Sequence, residues 1–504
     1  MGSHIPSIEQ EVPHKQPRQT MPVNFFGPSV YSKFYKALIC AVVLAGPMLA
    51  SAQQTSINNT ACVQNYNAAT DSNTDYFPNK VDADDATYFK ISYHNNYKLL
   101  VNSYTNETFA LYQCGTPIPT GLANGTKVFP VPVSNVAVME TIVVPYLEML
   151  GVANSVTAVG SDALISSSCF QKFVQSDNIP TLSDTNSTAS NLTLTKVDVE
   201  FGAYMADPTN NKSVSVSSSQ DPGTLNRAEW LEFFAAFYNK EQLANTLTAQ
   251  INDNYNRLKQ AASGYNPKPL VAWTVYTAPS SYNNNTASWL ISNATYKVQF
   301  AQDAGGSAMT SGTGGTATMS GTSYSNVSDF LSAINNVDVL IDETFVGDDF
   351  NSFLQNYNIS AADQNNYKFI KNKAVYREDG VSTTAGGQDW LEAAIPMADA
   401  VLEDVINAIN PSAPVSNYTR RWLRNIALNE TIKYSTADNC TSNENDARAD
   451  VAVNFTSTAK FSQPSYSSSS SSSTSSSTSQ AVSFTAVSST LLVTVLATFF
   501  AFLQ

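Results

Sequence analysis

The stretch from Thr224 to Tyr265 constrains the fold more than any other part of the chain, because it has the pattern of two amphipathic helices in series. Thr224 or Asn226 can cap the first helix, and Asn239, with Gln242 three residues later, has the form of a cap for the second. In the second helix an apolar stripe recurs every three or four positions: Leu243, Leu247, Ile251, Tyr255 and Leu258. Other parts of the chain must cover this stripe, so we predict a linking spine helix over 224–265.

Segments on both sides of this spine alternate β-branched strands with helical stretches. We call 126–223 the first lobe, and predict strands over 127–133, 156–160, 179–182, 197–204 and 213–219, and helices over 136–150 and after Ser166. We call 266–411 the second lobe, and predict strands over 270–276, 337–342 and 374–377, and helices over 296–304, 327–335 and 389–409. Such alternation implies parallel sheets with right-handed crossovers. The predicted fold class is α/β, with two Rossmann-like lobes of mostly parallel sheets joined by a long spine helix.

Two further segments flank the lobes. Residues 53–125 form a β-rich N-terminal extension, in which 87–94 and 97–102 are predicted to be a hairpin and 108–114 a third strand. Residues 412–462 form a C-terminal extension with one predicted helix over 420–429. Within the second lobe, 305–321 is rich in Gly, Ser and Thr and is predicted to be a mobile surface loop. It lacks a GK[ST] sequence, which argues against a phosphate-binding loop.

Both ends of the chain carry targeting signals. Residues 1–52 have the pattern of a signal peptide, with Lys33 and Lys36 before the apolar run 37–49 and the small residues Ala50-Ser51-Ala52 at the cleavage position. A retained membrane anchor is the alternative. Residues 463–485 form a serine-rich stalk, and the apolar segment 486–504 resembles a GPI attachment signal, with a transmembrane tail as the alternative. The expected location is the outer leaflet of the plasma membrane.

Composition supports a secreted protein and argues against nucleic-acid binding. Without residues 1–52, which hold four of the 27 basic and two of the 41 acidic residues, the net charge is −16, and phosphate binding needs the opposite sign. Four cysteines remain, an even number that suits two disulfides; we favour Cys62–Cys440 and Cys114–Cys169 among three possible pairings. Fourteen asparagines begin N-glycosylation sequons: Asn58, Asn106, Asn124, Asn186, Asn191, Asn211, Asn284, Asn293, Asn326, Asn358, Asn417, Asn429, Asn439 and Asn454.

Three stretches carry a family resemblance: VFPVPVSNVAVMETIVVPYLEMLGVANSVTAVGSD at 128–162, NRAEWLEFFAAFYNKEQLAN at 226–245 and AVYREDGVSTTAGGQDWLEAAIPMADAVLEDVINAINP at 374–411. With YKVQFAQDAGG at 296–306, their order and spacing resemble the class III periplasmic solute-binding proteins, which bind ferric siderophores and cobalamin between two lobes. The anchor signals and sequons are closer to the diatom and other algal cell-surface ferrichrome-binding proteins of this fold. The resemblance therefore implies a receptor for iron chelates. The family's transporter-docking carboxylates are not carried over, since Glu140 and Glu229 are expected to be solvated helix charges.

The residue inventory favours binding over catalysis. His94 is the one histidine left after processing and lies outside the predicted lobes, and no G-x-S-x-G sequence occurs, so we expect no enzyme, no histidine metal site and no cofactor. Tyr and Asp oxygens could still hold bare ferric iron, which stays an alternative to a chelate. Ligands bind at the carboxyl ends of strands in open α/β sheets. Eight residues near those ends are the candidate ligand-binding residues: Arg377, Tyr276, Trp273, Tyr204, Trp289, Trp390, Asp162 and Ser134. Core packing is the competing interpretation for the aromatic residues, and a salt bridge to Glu378 or Asp379 is the competing one for Arg377.

The expected partners follow from the resemblance and from the two ends of the chain. They are a small-molecule iron chelate, the membrane through a lipid anchor and, for uptake, a ferric reductase or the endocytic machinery; nucleic acid is not expected. The expected function is a cell-surface receptor for a hydroxamate siderophore such as ferrichrome. Two alternatives stay open: cobalamin or haem binding by the same fold, and a GPI-anchored adhesion or cell-wall protein without a ligand.

Overall fold

The computed structural model of the chain describes residues 59–81, 83–182, 186–203, 205–344, 349–415 and 417–441. The expected signal peptide, serine-rich stalk and apolar tail lie outside these residues, as does Tyr204. The strands are β1 (Phe89–Tyr93), β2 (Tyr97–Asn102), β3 (Glu107–Gln113), β4 (Lys127–Val131), β5 (Val136–Val138), β6 (Val156–Val159), β7 (Val199–Ala203), β8 (Ser213–Ser215), β9 (Leu270–Thr277), β10 (Ser288–Ser292), β11 (Ser307–Met309), β12 (Thr316–Thr318), β13 (Gly321–Tyr324), β14 (Val339–Asp342), β15 (Val375–Arg377), β16 (Val381–Ser382), β17 (Arg424–Asn425) and β18 (Lys433–Tyr434).

The α-helices are α1 (Ala68–Asp71), α2 (Val144–Met149), α3 (Ser168–Ser176), α4 (Ser187–Leu194), α5 (Thr224–Ala228), α6 (Trp230–Tyr238), α7 (Glu241–Ala262), α8 (Thr295–Asp303), α9 (Val327–Ile334), α10 (Phe350–Asn356), α11 (Lys368–Lys371) and α12 (Ala398–Ile409). In the part of the chain that the structure describes, no helix combines the length and the apolar character needed to cross a bilayer. Strands and helices alternate through both lobes, which confirms the predicted α/β class.

The first lobe contains a wholly parallel sheet in the order β6-β5-β7-β8. Its inner strand β5 is fully buried, as expected for a strand that is covered on both faces. The prediction of a helix over 136–150 is therefore wrong in its first part. The β-branched run at 136–138 forms this strand, and α2 begins only at Val144, with Pro145 in its first turn, where proline is tolerated.

The second lobe contains a larger mixed sheet in the order β12-β13-β10-β9-β14-β15-β17, with β11 beside β9. Its centre, β9, β14 and β15, is parallel, as predicted, and β10 adds an antiparallel strand that the sequence did not reveal. Two short strands, β11 and β12, lie in the Gly/Ser/Thr-rich segment that was predicted to be a loop. Their backbone groups pair with β9 and β13, so sheet pairing outweighs their poor strand composition.

The N-terminal extension is a four-stranded sheet, β1-β2-β3-β4, that packs on α6. Phe89 contacts Trp230 edge-on with ring centroids 5.2 Å apart, and Phe129 contacts Phe237 at 5.8 Å. The strand predicted to open the first lobe, β4, pairs with β3 and belongs to this sheet instead. Every residue of α6 is buried, because the sheet covers the face that the first lobe leaves open.

The predicted spine consists of three consecutive helices, α5, α6 and α7, rather than two. Asn239 ends α6 in a left-handed conformation (φ 53°) and so is a C-cap, not the predicted N-cap of α7. The apolar stripe of α7 is confirmed as core-facing: Leu247, Ile251, Tyr255 and Leu258 are at most 7% exposed, and Leu243 is partly buried. These side chains belong to the main hydrophobic core, together with residues of α6 and α12.

Glu229 and Glu140 were predicted to be solvated helix charges, but neither side chain is fully exposed to solvent. Glu229, between α5 and α6, is 4% exposed and accepts hydrogen bonds from the backbone N–H groups of Asp85 (2.8 Å) and Ala86. Burial raises the pKa of this carboxyl to about 7. Glu140 is half-buried and precedes a 3₁₀ turn at Thr141–Val143.

Two predicted helices near the end of the chain are shorter or missing. The helix expected over 389–409 is a 3₁₀ turn at Asp389–Leu391 followed by α12, with Pro396 between them, because proline breaks a helix interior. The helix expected over 420–429 is absent; β17 and a 3₁₀ turn occupy this segment. The Asp404 carboxylate accepts the backbone N–H groups of Trp422 (2.7 Å) and Leu423 (3.1 Å), which ties the segment to α12.

Residues 433–441, which we call the strap, connect the two lobes. Strand β18 pairs with β16 of the second lobe, and the Ser435 hydroxyl reaches Ser168 of the first lobe at 2.9 Å. The favoured disulfide pairing is wrong, since the bonds are Cys62–Cys114 and Cys169–Cys440. The start of the described chain lies along the end of β3, where Val63 donates its N–H to the carbonyl of Cys114, and this leaves Cys440 for Cys169.

Candidate ligand site between the lobes

The loops that follow β6 and β16 meet between the lobes and form a buried polar contact. The backbone N–H of Ser166 donates to Glu392 (3.0 Å), and its hydroxyl donates to Asp389 (2.8 Å). These three residues are at most 3% exposed. Thr383 adds a hydrogen bond to the carbonyl of Ala163 at 2.8 Å. The middle of the boundary between the lobes is therefore filled and is not an open crevice.

Two features of this contact depend on its close packing. A Cβ atom added at Gly387 would lie 2.0 Å from the carbonyl oxygen of Leu164, so only glycine allows the two loops to approach this closely. Burial, together with the nearby charge of Asp389, raises the pKa of Glu392 from 4.5 to about 8. Glu392 is therefore mostly a neutral carboxylic acid at pH 7.

A small cavity, which we call the deep cavity, lies where β9, β14 and β15 end beside α5 and α8. Its volume is about 60 Å³, enough for a few water molecules. Phe300, Trp390 and Ile395 contribute apolar wall, and several charged side chains complete it. The carboxyl ends of the strands thus do converge on a cavity, but it is far too small for an iron chelate.

Arg377 stands at the deep cavity in a network of buried ion pairs. It is 1% exposed and pairs with Asp342 (2.8 Å) and Asp379 (3.2 Å), and it also donates to the carbonyl of Thr344. Asp379 is shared with Arg424, at 2.7 Å. A side chain held by this many partners stabilises the ends of β14 and β15 and has little freedom to contact a ligand.

A second charged group lines the same cavity. Lys297 pairs with Glu343 at 2.5 Å, and Trp273 donates its indole N–H to Glu378 at 2.7 Å. Burial and the nearby Glu343 charge raise the pKa of Glu378 well above its usual range. Burial therefore favours the neutral form of Glu378, while Lys297 balances the charge of Glu343.

Arg227, on α5, is the cation of the deep cavity whose charge is least neutralised by neighbouring carboxylates. Its guanidinium lies 3.5 Å above the ring centroid of Tyr296 and donates to the backbone carbonyls of Asp221 (2.8 Å) and Ser219 (2.6 Å). Among the described residues, no carboxylate lies within ion-pair distance of it. Arg227 was not a candidate at the sequence level, because the spine was interpreted as purely structural.

A larger space, which we call the lateral groove, lies on the boundary between the lobes. Its volume is about 560 Å³, within the range of ligand-binding pockets. Glu148 and Met149 of α2 line one side, and Arg421, Lys433 and the 54% exposed Tyr434 line the other. Arg421 is held by Asp389 at 2.7 Å, so the groove borders the buried contact described above. Both lobes and the strap therefore contribute to one space of ligand size.

The predicted site residues are spread over several places. Arg377 and Trp390 line the deep cavity. Trp273 does not line it but donates a hydrogen bond to Glu378, which does. Tyr276 and Trp289 contact each other, with ring centroids 5.5 Å apart, and Trp289 packs on Phe330 in a separate core of the second lobe. For Trp289, whose indole N–H donates to the carbonyl of Asn356, core packing is the better description.

The two polar candidates lie elsewhere. Ser134 precedes β5 and is thus at the amino end of its sheet, where it donates to Asp198 at 3.1 Å. Its prediction assumed that β4 belongs to that sheet. Asp162 is exposed and lines a third space of about 360 Å³, together with Thr383 and the strap residue Asp438. The lateral groove itself contains none of the seven predicted residues that the structure describes. Its lining comes from both lobes and from the C-terminal extension, to which the sequence assigned no role.

Among the described residues, no group of three or more His, Cys, Asp or Glu side chains is arranged to hold a metal ion. Asp342, Glu343 and Asp379 of the deep cavity are each paired with Arg or Lys, and Glu378 accepts a hydrogen bond from Trp273. The lateral groove offers polar and aromatic side chains to a bound molecule, among them Lys433 and Tyr434.

No protein-family model and no curated protein matches the chain. Among solved structures, it is similar to a periplasmic binding protein from Veillonella parvula, with 12% identity over 56% of this chain and 85% of that one and a TM-score of 0.39. An ABC-type Fe3+-hydroxamate transport system from Saccharomonospora viridis has 15% identity, coverage of 59% and 97%, and a TM-score of 0.39. A periplasmic heme binding protein from Pseudomonas aeruginosa has 13% identity, coverage of 58% and 97%, and a TM-score of 0.40. Because identities and TM-scores are low, no residue role is taken from these likenesses.

Proposed function

We propose that this protein is a solute-binding receptor, tethered outside the cell, that binds a ferric hydroxamate siderophore in the lateral groove. One observation carries the proposal: the groove has walls from both lobes and the strap, and a volume of about 560 Å³. The iron chelate is the ligand that the sequence resemblance implies. The expected signal peptide and lipid anchor are part of this proposal, because a receptor for a scarce extracellular chelate needs to stay at the cell surface. In this proposal the protein binds its ligand without converting it.

The groove offers three kinds of contact to such a ligand. Tyr434 is exposed and can stack on flat or apolar parts of a chelate. Lys433 and Arg421 can donate to hydroxamate oxygens, and Glu148 can accept from ligand N–H groups. The Arg421 guanidinium also lies 4.8 Å from the ring centroid of Trp422, whose indole N–H donates to Asp389. A bound iron complex would therefore lie close to Trp422 and quench its fluorescence.

The test is a fluorescence titration of the purified protein with ferrichrome, other ferric hydroxamates, haem and cobalamin. We expect saturable quenching by a hydroxamate complex. Tyr434→Ala should weaken binding by roughly tenfold, which corresponds to about 1.4 kcal/mol. Tyr282→Ala is the matched control, because Tyr282 is 72% exposed in the loop after β9 and does not line the groove. Equal affinity of the Tyr434→Ala variant would place the ligand elsewhere, and no response to any of these compounds would remove the receptor proposal.

A second candidate is a surface adhesion or cell-wall protein that keeps the fold without a ligand. The observation in its favour is the filled centre of the boundary, where Ser166, Asp389 and Glu392 are buried and the deep cavity holds only about 60 Å³. This candidate predicts no binding in the titration above. It also predicts that variants of the groove leave cell attachment unchanged.

A further inference from the structure

The asparagines of the glycosylation sequons share a structural property that their sequence does not require. Twelve of the fourteen lie in the described part of the chain, and Asn58 and Asn454 lie outside it. All twelve side chains are exposed: Asn106, Asn124, Asn186, Asn191, Asn211, Asn284, Asn293, Asn326, Asn358, Asn417, Asn429 and Asn439. They occur in the N-terminal sheet, in both lobes and in the strap, so exposure is not the property of one loop.

The amide nitrogen Nδ2 of these twelve residues is also free within the described structure. Where their side chains do form hydrogen bonds, as in Asn186, Asn326 and Asn439, the oxygen Oδ1 accepts and Nδ2 does not donate. At least fifteen other asparagines donate from Nδ2: Asn95, Asn96, Asn102, Asn135, Asn210, Asn226, Asn239, Asn245, Asn252, Asn254, Asn283, Asn366, Asn372, Asn407 and Asn425. None of these fifteen begins a sequon.

This division has a physical meaning, because Nδ2 is the atom to which an N-linked glycan is attached. A glycan on Asn102 or Asn407, whose Nδ2 atoms donate to buried backbone carbonyls, would break those hydrogen bonds and leave the carbonyls unpaired. A glycan on an exposed asparagine with a free Nδ2 displaces only water. Within the described residues, the sequons thus occur only at asparagines where the folded chain can carry a glycan without losing an internal hydrogen bond.

We propose that the twelve exposed sequon asparagines are N-glycosylation sites, and that the protein folds and functions as a heavily glycosylated chain. The donor is an oligosaccharide linked to a lipid diphosphate. The bond from C1 of its first sugar to the diphosphate oxygen breaks, a C1–Nδ2 bond forms, and the proton lost from Nδ2 leaves with the lipid diphosphate. This inference does not depend on ligand binding in the lateral groove; of the twelve asparagines, Asn439 lines that groove.

Backbone geometry determines how the sites are best tested. Five of the twelve have positive φ: Asn106, Asn284, Asn358, Asn417 and Asn429, between 50° and 65°. At such positions an Asn→Gln change would add backbone strain of about 1 kcal/mol, because asparagine tolerates the left-handed region better than longer side chains. Thr431→Ala avoids this problem at Asn429, since it removes the sequon and leaves the asparagine in place. Thr246→Ala is the matched control, because Thr246 follows Asn245, which is not in a sequon.

The experiment uses the full chain secreted from eukaryotic cells. Its glycans are removed with a peptide N-glycosidase in heavy-oxygen water, which converts each glycosylated asparagine into labelled aspartate, and the label is located by peptide mass spectrometry. We expect label at most of the twelve sequon asparagines and at none of the fifteen others. Thr431→Ala should remove the label at Asn429 alone, and Thr246→Ala should change nothing.

Label at only a minority of the twelve in secreted, disulfide-bonded protein would overturn the inference, as would a Thr431→Ala variant that keeps its label at Asn429. The label is read whether or not any iron chelate binds. Failure of this inference is therefore distinguishable from failure of the receptor proposal, which is decided by the fluorescence titration.

Discussion

Replacing Arg377 should cost folding stability rather than ligand affinity alone. Arg377 is 1% exposed and forms ion pairs with Asp342 and Asp379. In Arg377→Met, Asp379 keeps Arg424, which donates to it twice at 2.7 Å. Asp342 keeps hydrogen bonds from Thr344 (2.6 Å) and Tyr357 (2.8 Å) but loses its cation. Removing one partner of a buried ion pair costs about 3–5 kcal/mol. Since one carboxylate remains paired, we expect a loss near the lower end, about 3 kcal/mol.

Urea unfolding followed by tryptophan fluorescence measures this loss, because Trp273 and Trp289 lie in the second lobe. Arg257→Met is the matched control: its ion pair with Asp253 has side chains that are 53% and 73% exposed, so we expect a change below about 0.5 kcal/mol. Adding Asp342→Asn to Arg377→Met removes the unpaired charge and should recover part of the loss, which a double-mutant cycle with Asp342→Asn alone would quantify. A loss below about 1 kcal/mol for Arg377→Met, with its structure unchanged, would refute the structural role of Arg377.

Three further predictions concern the contact between the lobes. Replacing Cys169 and Cys440 by Ser should lower the free energy of unfolding by about 1.5 kcal/mol more than replacing Cys62 and Cys114, because the first disulfide closes a loop of 271 residues and the second a loop of 52. Loss of Cys169–Cys440 should also speed hydrogen exchange in the strap. Equal losses of stability would contradict the loop-entropy reasoning. The pKa of Glu392 is raised to about 8 in the folded state, so its contribution to stability is greatest below the unfolded pKa of about 4.5 and falls as the pH rises to 8, by up to about 1.4 kcal/mol per pH unit. Urea unfolding at several pH values should therefore show a flatter stability profile for Glu392→Gln than for the wild type. The same profile in both proteins would contradict the raised pKa. Gly387→Ala should separate the two loops, seen as faster hydrogen exchange at Ser166; wild-type exchange would show that the loops are not in close contact.

Local patterns in the sequence predicted the three parallel central strands of the second lobe and the two helices α8 and α9. Strands β9, β14 and β15 and helices α8 and α9 begin and end within two residues of their predicted bounds, because their apolar periodicity and flanking caps are complete within a few residues. The errors occur where an element depends on distant partners. Strand β5 is only three residues long and becomes a strand through pairing with β6 and β7.

The candidate site was predicted less well than the fold. Arg377 and Trp390 were correctly expected near converging strand ends, and both line the deep cavity. The lateral groove was missed, because its residues come from α2, the start of α3, the segment before α12 and the strap, which are far apart in the sequence. Exposed Lys433 and Tyr434 carry no local signal that separates them from other surface residues.

The amino-acid sequence by itself determined the α/β class, the helical spine and the acidic, sequon-rich surface, since periodicity, capping and charge are properties of neighbouring residues. The tertiary structure decided which cysteines pair, which charges neutralise Arg377 and where space for a ligand remains. These depend on how loops from separate lobes pack together. Glu392 is buried, and its pKa therefore raised, only when the loop that contains Ser166, 226 residues away, packs against it.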